Sequence, residues 1–399
     1  MEVLNRVMHG IQEGEAVNFT RSLIEIPSII GDEQAIADYL SRELNKLGIS
    51  AESIEAKRGR PNVISHIKGQ TDDVGLILVG HTDTVPVGVG TGEAWEMDPF
   101  DGDVRNGLIY GLGSSDMKGG IASIFLAVKA ILSSNVKLKK GVTVVFCVDE
   151  EGGSIDGMKY IGERKLVKGA LAMEAEPTGM CVQGWFKGRT WYEIEARGKS
   201  AHSSSPTKGI NAIHHMVDII HKIKNDGFEY EKHPLVGDCT ISFGTIEGGT
   251  SVKSIPDLCK SRLEVRTVPG QTGEGVMEQI HTYISDLGKK DPALDASVRI
   301  IDGKDPMEIS PKDPVFDVIQ GASQKAIGKK LELGRTGSAG GDLYFLWKNM
   351  GIPGIYFGPG DLGCAHAPNE RVEVRNIVDA AKCYAAFILE FCGGSLEKP

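Results

Sequence analysis

The 399-residue sequence has no apolar run long enough to cross a bilayer, because a spanning helix needs about 20 consecutive apolar residues. A helical transmembrane protein is excluded. It also lacks a C-x-x-C pair. The seven cysteines (Cys147, Cys181, Cys239, Cys259, Cys364, Cys383 and Cys392) are scattered, which argues against a zinc ribbon or disulfide scaffold and for buried thiols in a reducing compartment. Basic residues are in deficit, 44 against 54 acids, giving a formal net charge of -10. That balance disfavours a nucleic-acid partner or an anionic membrane surface. Residues Met1 to Gly10 carry charges and no apolar stretch typical of a leader, so no targeting peptide is visible and a cytoplasmic location is expected. Internal repeats and low-complexity tracts are missing too. What the sequence has in excess is glycine, 51 residues, against a usual ~7%. Glycine at that level implies many tight loops, where chemistry concentrates, and the acid excess is compatible with carboxylates gathered around metal ions.

Hydrophobic periodicity organises the chain. Ile36, Leu40, Leu44 and Leu47 repeat on one face of a helix over 33–47 that Gly48 stops. Val74 to Val79 and Val142 to Val148 read as strands buried on both faces of a sheet, with a helix over Gly119 to Leu132 between them. This strand, helix, strand rhythm predicts an α/β fold with a doubly wound sheet. From about Met180 the rhythm changes. Strand-like Thr190 to Arg197, a helix whose face carries Ile213, Met216, Val217, Ile220 and Ile223, strand-like Cys239 to Ile246 and Cys259 to Val268, a helix over Val276 to Leu287 and strand-like Ala296 to Ile301 follow in turn. That order is β-α-β-β-α-β, a ferredoxin-like α+β unit. A helix over Asp313 to Ile327 and a strand over Ile352 to Phe357 resume the first pattern. The expected organisation is therefore a first domain formed by residues 1–179 and 302–399, interrupted by an inserted domain at 180–301. His214, His215 and His221 read as surface residues, and the tail Gly393 to Pro399 is expected to fray.

The chemistry-bearing residues follow the strands. Val74 to Val79 runs into Gly80-His81-Thr82-Asp83, beyond a strand's carboxyl end, where open α/β sheets bind ligands. Alone, such a pair reads as a turn or a surface contact. Gly113-Ser114-Ser115-Asp116 places Asp116 ahead of a helix, where an N-cap is the plain interpretation. Val142 to Val148 ends in Asp149-Glu150-Glu151, three acids that repel one another unless solvated or neutralised by cations. Gly169 to Met173 leads to Glu174-Ala175-Glu176-Pro177, and Ile352 to Phe357 leads on to His366. Histidines and carboxylates thus converge on one sheet edge. Two imidazoles with several carboxylates suit zinc or another first-row divalent ion, and the acids outnumber what one tetrahedral ion requires. A pair of ions bridged by one carboxylate fits better. Such a pair polarises a carbonyl and acidifies water, and a protein base manages the proton. Of Glu150 and Glu151, one can ligate while the other faces the water.

These segments, with Ser115-Asp116-Met117-Lys118-Gly119-Gly120, Ala175-Glu176-Pro177-Thr178 and His366-Ala367-Pro368, resemble the dinuclear zinc amidohydrolase family of acetylornithine deacetylase, succinyl-diaminopimelate desuccinylase, aminoacylase and glutamate carboxypeptidase. The resemblance is ordered along nearly the whole chain. It implies a metal-binding α/β domain interrupted by a ferredoxin-like lid and dimerisation domain. It also implies that His81, Asp116 and Glu176 hold one ion and that Asp116, Glu151 and His366 hold the other, with Asp116 bridging. Glu150 would be the general base. Asp83 would orient the His81 imidazole, and the Asp116–Met117 peptide would be cis. Glu174 and Asp149 fall outside the matched ligand positions. Gly198-Lys199-Ser200-Ala201-His202 resembles the lid motif, making His202 an oxyanion donor in the partner subunit's site. Arg266 matches an arginine that holds a substrate carboxylate. Ser254 stands where some members have asparagine, and Gly341, in Gly340-Gly341-Asp342, stands where Gly-Thr-Asp is common in a loop lining the substrate pocket.

The implied cofactors are two divalent ions, zinc first, with cobalt or manganese as alternatives. The implied activity is hydrolysis of an amide next to a carboxylate, in an N-acyl amino acid or small peptide, by a homodimer. Carboxypeptidase or dipeptidase action of the same family is the alternative, and a metal-binding protein without turnover is the rival of a different class. Gly88-Val89-Gly90-Thr91-Gly92 could suggest a nucleotide loop, but it neither follows a strand directly nor carries the Lys-Ser/Thr of a P-loop.

Overall fold

A hairpin and four parallel strands form the principal sheet. Its order is Ala51–Lys57, Arg60–Ile67, Gly141–Cys147, Val74–His81, Leu171–Glu174 and Gly354–Tyr356. The last four run parallel, and Arg60–Ile67 is antiparallel to both its neighbours, Ala51–Lys57 and Gly141–Cys147, so the sheet is mixed. The strand Gly141–Cys147 is buried along its whole length, as its β-branched run requires of a central parallel strand. The helices Gly119–Ser133 and Val374–Cys392 pack against Val74–His81, while Gln34–Lys46 packs against the hairpin. Gly119–Ser133 carries almost no polar residue because nearly every side of it is covered.

The computed structural model describes residues 2–88, 95–335 and 340–396. They divide into two compact units, one comprising Met1–Gly184, Ile309–Gly334 and Gly341–Pro399, the other Trp185–Glu308 and Arg335–Gly340. The unit boundaries fall a few residues later than the change of periodicity. Val182 bridges to Leu333 and Gln183 to Tyr356, which keeps 180–184 with the first unit. Met307–Glu308 pairs with Trp185–Phe186, which keeps 302–308 with the second. Most of the glycine-rich run at 88–92 lies outside the described residues.

The second unit has an antiparallel sheet in the order Thr240–Gly248, Leu258–Arg266, Arg189–Arg197 and Asp295–Lys304. Two helices, Ala212–Asp226 and Gly273–Lys290, complete the ferredoxin-like pattern. Its core joins Tyr192, Ile194, Cys259 and Val265 from the strands to Met216, Ile219, Ile223 and Ile280 from the helices. Asn211 caps the first helix by accepting the amides of Ile213 and His214. The buried stripe of that helix is Ala212, His215, Met216, Ile219 and Ile223, rotated from the expected one. Val217 is 52% exposed, and His215 is not a surface residue but a buried one paired with Asp291 at 3.1 Å. Within the tail expected to fray, Gly394–Leu396 instead pairs with Val136–Leu138, and residues 397–399 lie outside the described residues. All seven cysteines are free, four of them buried.

Candidate active site

Parallel strands bring their carboxyl ends to one edge, and the chain uses that edge repeatedly. His81 closes the strand Val74–His81, Glu150 and Glu151 follow Gly141–Cys147, Glu176 follows Leu171–Glu174, and His366 lies beyond Gly354–Tyr356. Asp116 sits in the turn Ser114–Lys118 before the helix Gly119–Ser133, and its peptide with Met117 is cis. His81 Nε2 is 3.0 Å from Asp116 Oδ1 and 3.8 Å from Glu176 Oε1. His366 Nε2 is 2.7 Å from Glu151 Oε1 and 3.4 Å from Asp116 Oδ2. Asp116 therefore turns one oxygen to each imidazole. Ligand atoms of His81, Asp116 and Glu151 lie within 4.8 Å of one another, as do those of His81, Glu150 and Glu176.

The donor set fits divalent ions. His81 Nδ1 lies 3.0 Å from the Asp83 carbonyl oxygen, so Nδ1–H donates there and Nε2 offers its lone pair to the cluster. The Asp83 carboxylate is farther from Nδ1, at 3.6 Å. It instead accepts the backbone N–H of Glu150 (3.2 Å) and of Glu151 (3.0 Å), fixing both acids at the strand end. The expected imidazole-orienting bond thus comes from the main chain of Asp83, because its side chain is engaged by the neighbouring loop.

The electrostatics reflect crowded carboxylates. Burial pushes Glu150 up to about 8, with Asp342 and Glu151 adding to the effect and His81 opposing it. Burial and the Asp116 charge raise Glu176 well above its usual range. Burial alone would raise Asp116 as well, but its bonds to His366 and His81 outweigh that and hold it well below the usual carboxylate range. His366, bonded to Asp116 and Glu151, is raised to about 10. Contacts with the two imidazoles offset part of this crowding, and cations held by the cluster would offset the rest.

Several contributors lie outside the ligand positions that the resemblance implies, and two of them, Arg60 and Cys147, carry no sequence signal of a role here. Arg60, on the hairpin, donates to Glu33, to Asp149 Oδ1 at 2.9 Å and to Asp156 Oδ2 at 2.8 Å, and its side chain is only 8% exposed. This network anchors Asp149, directly before the Glu150–Glu151 pair, in a left-handed conformation with φ 69°. Glu174 is fully buried, and burial and Asp342 raise its carboxyl. Cys147 donates to Asp342 Oδ2 at 2.8 Å. Gly341 packs against the proposed base: a Cβ there would come within 2.5 Å of Glu150 Oε1, and its N–H donates to the Tyr356 hydroxyl.

His202, Ser254 and Arg266 belong to the second unit. His202 and Ser254 are bridge partners. The Ser204 backbone N–H donates to His202 Nδ1 at 3.2 Å, so in the neutral ring Nε2 carries the proton and is a donor. Arg266 Nε donates to Glu264 at 2.7 Å.

A mixed α/β sheet that presents two imidazoles and several buried carboxylates on its carboxyl edge defines a metal-dependent hydrolase site. Residues 77–390 match the model of peptidase family M20/M25/M40. The chain belongs to that family, and it is a metal-dependent hydrolase acting on C–N bonds. It is 28% identical to N-formyl-4-amino-5-aminomethyl-2-methylpyrimidine deformylase of Bacillus subtilis over 397 residues, covering 92% of this chain and 91% of that protein. Among solved structures it is similar to the aminopeptidase PepT of Bacillus cereus (TM-score 0.76, 22% identity, 96% of this chain and 99% of that one). It is also similar to a dinuclear metal-binding peptidase of Bacillus subtilis (TM-score 0.71, 18% identity, 94% and 97%).

Proposed function

We propose that the protein hydrolyses the amide bond of a small N-acyl compound, an N-acyl amino acid or short peptide, with two zinc ions. The observation that supports this most is the double contact of Asp116, 3.0 Å from His81 and 3.4 Å from His366, with acids beyond it on both sides. His81, Asp116 and Glu176 would hold one ion, and Asp116, Glu151 and His366 the other. When bound, the ions supply Lewis acidity, polarising an amide carbonyl and acidifying water. Glu150 takes the proton of the attacking water and returns it to the departing nitrogen. Asp83 keeps Glu150 and Glu151 in place through their amides. The His202 Nε2–H is a donor suited to the developing oxyanion, and Arg266 is suited to a substrate carboxylate. By resemblance, the working form is a homodimer through the inserted unit, with each His202 serving the neighbouring subunit's site.

The name of the Bacillus subtilis relative, a deformylase of an aminomethylpyrimidine, favours a second reading in which the acyl group is formyl and no carboxylate is needed. A panel of N-formyl, N-acetyl, N-succinyl and N-carbamoyl amino acids, dipeptides and an N-formyl aminomethylpyrimidine, assayed with the zinc-loaded protein, separates the two. Turnover confined to the pyrimidine would favour the second reading, and turnover of none would refute both.

A further inference from the structure

Glu370 lies four residues beyond His366, is 1% exposed, and contributes no ligand atom to the clusters described above. Its carboxylate accepts three backbone N–H bonds from the turn that carries Asp116. Oε2 takes Gly113 N–H at 2.8 Å, and Oε1 takes Ser115 N–H at 2.8 Å and Asp116 N–H at 2.9 Å. The main chain arrives by a second route. Arg371–Glu373 pairs with Leu108–Tyr110, placing Arg371 opposite Tyr110, and the Gly111 N–H donates to the Glu370 carbonyl at 3.0 Å. The turn itself has little regular structure to hold it: Gly113 is left-handed at φ 77°, and Asp116 and Met117 are non-helical. Its amides are orphan donors in a buried place, and one carboxylate satisfies three of them.

We propose that Glu370 is the positioning residue of the bridging carboxylate, setting the height and direction of Asp116 between His81 and His366. The proposal rests on the reading of Asp116 as the shared ligand. The geometry explains why one segment carries both groups. His366 reaches the site directly, and Glu370, on the same short stretch, fixes the opposing ligand by its backbone, so the two sides of the second ion's site are tied through one piece of chain. A glutamine at 370 keeps the shape but has a single acceptor oxygen and turns an N–H₂ toward backbone donors, so it loses at least one of the three bonds. An alanine loses all three.

The test compares wild type, Glu370→Gln and Glu370→Ala, with Arg371→Ala as a neighbouring control. The readouts are zinc affinity and stoichiometry by chelator competition, the melting temperature of the metal-free proteins, and kcat and KM on the best amide of the panel. Support around a ligand commonly contributes 10- to 100-fold in metal affinity. Glu370→Gln is therefore expected to bind its weaker zinc about 10- to 100-fold less tightly, with kcat falling and KM little changed. Glu370→Ala is expected to be worse and the control to match wild type. If the alanine variant does not fold, the near-isosteric glutamine decides. A glutamine variant that melts lower without its metal yet binds two zinc ions as tightly as wild type would show a purely structural role and overturn the proposal. A wild-type protein that takes up fewer than two ions would instead contradict the dinuclear reading beneath it.

Discussion

Arg60 shows how much of the site depends on a residue far from it in sequence. One guanidinium faces Glu33, Asp149 and Asp156, and removing it would leave buried acids without a cation. Breaking a buried pair of this kind costs roughly 3–5 kcal/mol. Arg60→Met should lower the unfolding free energy by about that amount in urea titration, whereas a change below about 1 kcal/mol would mean that the network is solvated. Gly341 makes a sharper residue-level case. A methyl group at this position meets Glu150 Oε1 at 2.5 Å, so Gly341→Ala should displace the base, reducing kcat by at least about tenfold while zinc content stays at the wild-type level. Full activity in that variant would separate Gly341 from the base. The Arg60 network was not legible in the sequence, because Arg60 and Asp149 are 89 positions apart and no periodicity marks such a meeting, whereas the resemblance placed Gly341 in a pocket loop without showing its approach to Glu150. The convergence of His81, Glu151, Glu176 and His366 was legible, since each lies beyond a run that reads as a strand, whereas Asp116 precedes a helix and joined them as a ligand only through the family resemblance.

At the scale of elements, the sheet of the second unit carries a charged row across three strands. Glu193 stands directly opposite Arg262 on one side and Arg299 on the other, with contacts of 2.9 and 2.7 Å. Bonds to Arg299 and Arg262 hold its carboxyl below the ordinary value of 4.5. A carboxyl depressed in the folded state stabilises above its unfolded value, and that contribution is lost as pH falls through the folded value. Wild type should therefore lose more melting temperature between pH 7 and pH 3.5 than Glu193→Gln does, and equal losses would refute the assignment. Elements with strong periodicity, such as Gln34–Lys46 and Gly119–Ser133, were readable within a residue or two. The hairpin strand Ala51–Lys57 was not, because it is a largely exposed edge with no apolar alternation. The apolar face in the sequence of Ala212–Asp226 differs from the buried one by part of a turn, since partial burial of Ile213 and Ile220 widens the apolar stripe beyond the core.

For the whole molecule, the initial excess of glycine and acid now has a physical location. Gly80, Gly120 and Gly358 sit where a side chain would strike Ile121 or the Ala175 carbonyl, so part of the glycine excess serves close packing behind the site rather than loop freedom. The formal charge of -10 includes Asp116, Glu150, Glu151 and Glu176, which two divalent ions would offset. Among the described residues no helix is long and apolar enough to cross a membrane. The two-unit organisation was legible because a change from buried parallel strands to alternating ones is a change of period, while the exact boundaries depended on bridges such as Gln183 to Tyr356 that the sequence does not display.

The central claim, that Glu150 moves the proton in a site held by two metal ions, is tested most directly by measuring zinc stoichiometry and turnover together in wild type and Glu150→Ala. The predicted result is two zinc ions per chain in both proteins and a turnover loss of about 10²- to 10⁴-fold in the variant, the range expected for a positioned general base. Wild-type turnover in a variant that holds both ions would contradict it.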